Sequence, residues 1–66
     1  NGTYEAYQAG ATTMSATLYN MDGKVIASNN SNGNTISINT SNANKGIYLL
    51  KVSTGKSSHT QKIVIR

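Results

Sequence analysis

Only three side chains in this 66-residue sequence suit acid–base or metal chemistry near neutral pH: Glu5, Asp22 and His59. Two-carboxylate catalysis needs a matched pair whose surroundings push the two acids apart in strength. Asp22 lies in Asn20-Met21-Asp22-Gly23, an Asx residue followed by a glycine, which is the chemistry of a tight turn. That leaves Glu5 without a partner. A nucleophilic triad would need His59 as its base. His59 sits in the polar run Ser57-Ser58-His59-Thr60 and reads as a solvated strand residue. Asn20-x-Asp22-Gly23 shares its opening with calcium loops but lacks their further oxygen ligands and distal Glu. Without cysteine there is no disulfide and no cysteine-based zinc site. No glycine-rich phosphate loop occurs. The sequence therefore predicts no catalytic residue, no bound metal and no cofactor. Asn1-Gly2-Thr3, Asn29-Asn30-Ser31 and Asn39-Thr40-Ser41 match the N-glycosylation pattern. Chance accounts for these matches in a chain with nine Asn, eight Ser and eight Thr.

The net charge of +4 reflects a scarcity of acids, two against six Lys and Arg. Binding single-stranded nucleic acid wants clustered cations interleaved with aromatic platforms. Here Lys24, Lys45, Lys51, Lys56, Lys62 and Arg66 are dispersed. Of the four tyrosines, Tyr48 falls on an apolar strand face. No nucleic-acid partner is expected, and the absence of Trp argues against a carbohydrate platform. Charged residues make up 12%, against about 25% in typical soluble domains. Asn, Ser and Thr supply the polarity instead, a composition that suits an exported β-protein. No apolar run reaches the ~18 residues of a membrane helix. The sequence starts at Asn1 without Met or a signal peptide, and reads as a fragment or processed product with any export signal upstream. Residues 1–66 are expected to form one domain, burying ~60% of the surface exposed by the unfolded chain.

The elements that position these residues are strands. Proline is absent, and no long window repeats apolar residues at helical spacing. Period-2 patterning predicts strands over Thr3–Tyr7, Ser15–Asn20, Lys24–Ser28, Thr35–Asn39, Ile47–Thr54 and Ser58–Ile65. Reversals fall at Asn20–Gly23, with positive φ expected at Gly23, and at Thr54–Lys56. Residues 29–34 and 40–45 read as polar loops. Tyr48, Leu50 and Val52 are expected in the core with Leu18, Ile36, Ile38, Ile63 and Ile65, while Ile47, Leu49, Lys51 and Ser53 form a wetter face. Six short strands at this spacing predict an antiparallel sandwich or small barrel, and the sandwich is favoured.

Leu18-Tyr19-Asn20-Met21-Asp22-Gly23-Lys24-Val25-Ile26, then Lys45-Gly46-Ile47-Tyr48, then Gln61-Lys62-Ile63-Val64-Ile65-Arg66 form an ordered series. From about Thr17 to Arg66 this series resembles the C-terminal sorting domain of cargo for the type IX secretion system. The resemblance implies an all-β, immunoglobulin-like sandwich of six to seven strands at the end of a larger cargo protein. It implies a non-catalytic signal that takes cargo across the outer membrane of a Gram-negative bacterium and is often removed on export by a sortase-like transpeptidase. The expected partners are the secretion machinery, that transpeptidase and an upstream cargo domain. Carried over by position, Gly46 and Tyr48 match the family's G-x-Y, and Lys62 and Arg66 flank its terminal apolar run, Ile63-Val64-Ile65. These seven residues are the expected recognition site. Family members commonly open with a PNP strand, absent here, so either that strand precedes Asn1 or the first fourteen residues belong to another subtype. A missing strand would leave an open edge able to pair with a second copy.

Without the resemblance, Lys62 and Arg66 are simply charges that guard an edge strand. The rival function is an immunoglobulin-like adhesion or spacer module of a bacterial surface protein.

Overall fold

A computed structural model describes residues 2–41 and 43–66. The glycosylation-pattern Asn1 and loop residue Asn42 lie outside them. Six strands run in the order β1 (Thr3–Tyr7), β2 (Met14–Tyr19), β3 (Val25–Ser31), β4 (Thr35–Asn39), β5 (Gly46–Thr54) and β6 (Ser58–Ile65). Every pairing is antiparallel. A four-stranded sheet, ordered β3-β2-β5-β6, faces a two-stranded sheet, β1-β4. This is the expected sandwich.

Side chains alternate between its two faces, as a pleated strand requires. Met14, Ala16 and Leu18 of β2 point inward, with Tyr48, Leu50 and Val52 of β5 and Ile63 of β6 beside them. Ile36 and Ile38 of β4 cover them from the small sheet. Leu18 and Leu50, paired across the two central strands, are the most deeply buried large side chains, at 0% and 1% exposure. Seven of the eight expected core residues are buried. Ile65 is half-buried because its cross-strand partner is Gly46, which has no side chain to cover it. Met14 joins the core because β2 begins one residue earlier than expected, and Ala16 because it shares the inward phase of Leu18 on a strand that lies between two neighbours.

The Asn20–Lys24 turn forms as its composition predicts. Asn20 Oδ1 accepts from the backbone N–H of Asp22 and of Lys24, both at 2.9 Å. Gly23 takes φ 88°, where a Cβ would be strained. Just beyond it, the register slips between Leu18 and Tyr19, so that Leu18 faces Ala27 but Tyr19 faces Val25. Ile26 is the extra residue of this bulge.

One correction concerns residues 29–31, which are strand rather than loop. Asparagine is a poor strand former, but Asn29 and Ser31 share the inward face with their β2 partners Ala16 and Met14. Asn29 Nδ2 donates to the Ser37 carbonyl and Ser31 Oγ to the Thr35 carbonyl, each at 2.7 Å. Both acceptors lie in β4, so side chains join the sheets where no backbone ladder continues. At the opposite corner, Gln61 Nε2 of β6 donates to the Tyr4 hydroxyl of β1.

Candidate functional site

The seven residues singled out by sequence gather at one end of the β5–β6 pair. The register sets Gly46 against Ile65, Ile47 against Val64, Tyr48 against Ile63 and Leu49 against Lys62. Gly46 opens β5 with φ 151°, a backbone conformation that L side chains rarely adopt. A Cβ there would sit 3.8 Å from the Tyr48 ring, an ordinary contact. The requirement for glycine is therefore conformational rather than spatial. Two residues on, Tyr48 turns inward, and its hydroxyl donates to the Asn44 carbonyl at 2.8 Å. The G-x-Y spacing thus turns the chain into β5 and ties the preceding loop to the core with one ring.

Geometry divides the seven residues. Tyr48 and Ile63 are buried, Gly46 and Ile65 half-buried, and Lys62, Val64 and Arg66 exposed. The buried pair shapes the end of the sheet. The exposed three are what another molecule could touch.

Among the described residues, β6 is hydrogen-bonded to β5 on one side only. Its other edge looks across a corner toward β1, bridged by the Gln61–Tyr4 contact. Beside that bridge the corner opens into a groove of about 280 Å³ lined by Thr3, Tyr4, Thr40 and Ile63 through Arg66. Its lining combines the apolar run Ile63–Ile65 with the exposed Arg66. An exposed sheet edge beside a side-chain groove is the arrangement that strand addition uses, and Arg66 adds a positive charge to it. Sequence reading missed the contribution of Thr3, Tyr4 and Thr40, because only the fold brings β1 and Thr40 beside β6.

The other residues with possible chemistry stay apart. Asp22 is in the exposed turn, Glu5 is on β1 and His59 is exposed near the start of β6. Among the described residues, no three His, Cys, Asp or Glu side chains gather into a metal-binding group.

The sequence pattern described as "Secretion system C-terminal sorting domain" matches residues 3–66. The match begins at β1, so the pattern extends well before Thr17, and the first fourteen residues lie almost wholly within it. No curated protein matches the sequence. Among solved structures, the chain is similar to one described as "Biofilm associated protein - BSP domain", with a TM-score of 0.72 and 17% identity. That similarity covers 98% of this chain but only 12% of the other. At such low identity the likeness is one of fold.

Proposed function

The chain belongs to the secretion system C-terminal sorting domain family, and on that premise we propose that it is a non-catalytic signal directing a larger cargo protein across the outer membrane. The family is that of type IX secretion, whose signals mark secreted or cell-surface proteins. In this reading the machinery grips β6, adding a strand in the corner between β6 and β1. Lys62 and Arg66 supply charge, Val64 and Ile65 supply apolar contact, and Gly46, Tyr48 and Ile63 hold the end of the sheet in shape. A sortase-like transpeptidase then removes the domain from its cargo.

The observation that carries this reading is the family match over residues 3–66. The physical argument agrees with it. A machine that accepts unrelated cargos needs one shared, self-folding module, and a sheet edge with a charged flank offers recognition without an active site.

The test is a fusion to a neutral passenger carrying its own inner-membrane export signal, expressed in a host with type IX machinery. The passenger should reach the cell surface, and deletion of Lys62–Arg66 should leave it in the periplasm. The double variant Lys62→Ser/Arg66→Ser changes exposed side chains only, so its stability should move by less than about 0.5 kcal/mol. A secretion defect with an unchanged melting curve is the expected result. Normal secretion by the double variant removes both cations from the mechanism. An intact fusion that stays in the periplasm favours the spacer reading.

A further inference from the structure

The outer face of the four-stranded sheet is not uniformly polar. The register places Val25, Tyr19 and Leu49 side by side on it across β3, β2 and β5, with the Ile47–Val64 pair on the adjoining rung. Val25 is 51% exposed, Ile47 47% and Val64 55%. Solitary exposed apolar residues are ordinary, but a contiguous patch of this kind marks an interaction surface. Lys62 completes the row of Leu49, and Lys51 lies two residues along β5 on the same face. Beyond Lys51 the face becomes hydroxyl-rich, with Thr17, Ser15 and Ser53. No carboxylate projects from these strands. Glu5 belongs to the other sheet, and Asp22 to the turn at the rim.

We infer that this face docks a protein partner whose contact surface has an aliphatic centre bordered by Asp or Glu. Charge complementarity selects that occupant. Apolar burial supplies attraction, while Lys51 and Lys62 along one side of the patch favour carboxylates and fix orientation. A second copy fits poorly, because it would bring the same cations and a net charge of +4 against their equals. A lipid surface also fits poorly. Elements that lie in a membrane interface bury a broad apolar face there, whereas Tyr19 and Leu49 at the centre of this row are already half-buried. The face shares Lys62 and Val64 with the proposed β6 recognition edge, but Val25, Tyr19, Leu49 and Lys51 lie outside that set, and docking on them does not require the edge to accept a strand.

The probe is a photo-cross-linking amino acid placed at Val25 of the passenger fusion, in the host with type IX machinery. A second fusion carries it at Ser37, on the exposed face of the small sheet. Irradiation should give an adduct with another protein from position 25 and none from position 37. Lys51→Glu, at the patch cation that lies outside the proposed β6 recognition set, should reduce the position-25 adduct by about fivefold or more, as like charges then meet. Circular dichroism of each purified variant confirms the fold. Equal adducts from both positions, adducts only with lipid or with a second copy, an adduct unchanged by charge reversal, or no adduct would each overturn the inference. Surface delivery of the unmodified fusion is scored in parallel. Failure of the face with delivery intact is thereby distinguished from failure of the sorting reading.

Discussion

Leu50→Ala offers the sharpest test of the sheet register, because its chain neighbour Leu49 is an internal control. Leu50 is 1% exposed, paired with Leu18 on one side and Gln61 on the other. Truncation removes buried carbon and leaves a cavity, at a cost of ~2–5 kcal/mol. A chain of 66 residues has roughly 3–10 kcal/mol of stability in all, at ~0.05–0.15 kcal/mol per residue. The substitution therefore removes a large share of it. Leu49→Ala deletes the same atoms from the outer face, where the side chain is half-buried, and should cost about 1 kcal/mol. Each kcal/mol shifts Tm by ~4–8 °C in a chain of this size. Thermal melts followed by far-UV circular dichroism should thus show Leu50→Ala melting roughly 8–40 °C below wild type and Leu49→Ala about 4–8 °C below. Equal or inverted penalties would refute the register, since a one-residue slip exchanges the two faces.

Two further outcomes follow from the start of β5. Gly46→Ala should cost about 1–3 kcal/mol through backbone strain alone, measured by urea denaturation; a neutral result would mean that the positive φ is absent in solution. Tyr48→Phe keeps the ring but deletes the bond to Asn44. It should lose about 0.5–1.5 kcal/mol and speed amide exchange in the 43–46 segment, and unchanged exchange would show that the hydroxyl does not hold the loop.

Strand existence and facing were legible because alternation is a local property. Tyr48-x-Leu50-x-Val52 and Ile36-x-Ile38 declare their inward faces without any knowledge of neighbours. What alternation cannot express is which strands lie side by side. The 4 + 2 division between sheets, the bulge at Ile26 and the addition of Asn29–Ser31 to β3 depend on partners distant in sequence. Asn29 becomes a strand residue because it pairs with Ala16 of β2, and its side chain then finds the Ser37 carbonyl, not because asparagine prefers strands. The same limit applied to function. Positions in the terminal rung could be chosen by resemblance, but the groove needs Tyr4 and Thr40, which only folding brings near. The outer apolar row was hidden too. Ile47 and Leu49 share a face with Lys51 and Ser53 and read as wet, until the register aligns them with Tyr19, Val25 and Val64.

The division of the core between early and late strands has a consequence for the timing of folding. Four of the nine buried core residues, Tyr48, Leu50, Val52 and Ile63, come from β5 and β6. The β2–β3 hairpin, the β3–β4 corner and the β5–β6 hairpin each close over short turns. The β2–β5 and β1–β4 seams instead join residues far apart in the chain, and such non-local pairings dominate the folding time. A growing chain that has reached only residue 45 has no strand to set against the open side of β2, so Leu18 lacks its Leu50 neighbour. The sandwich can close only once residues 46–65 are available, and the edge on which recognition is proposed takes shape in the same event that completes the core.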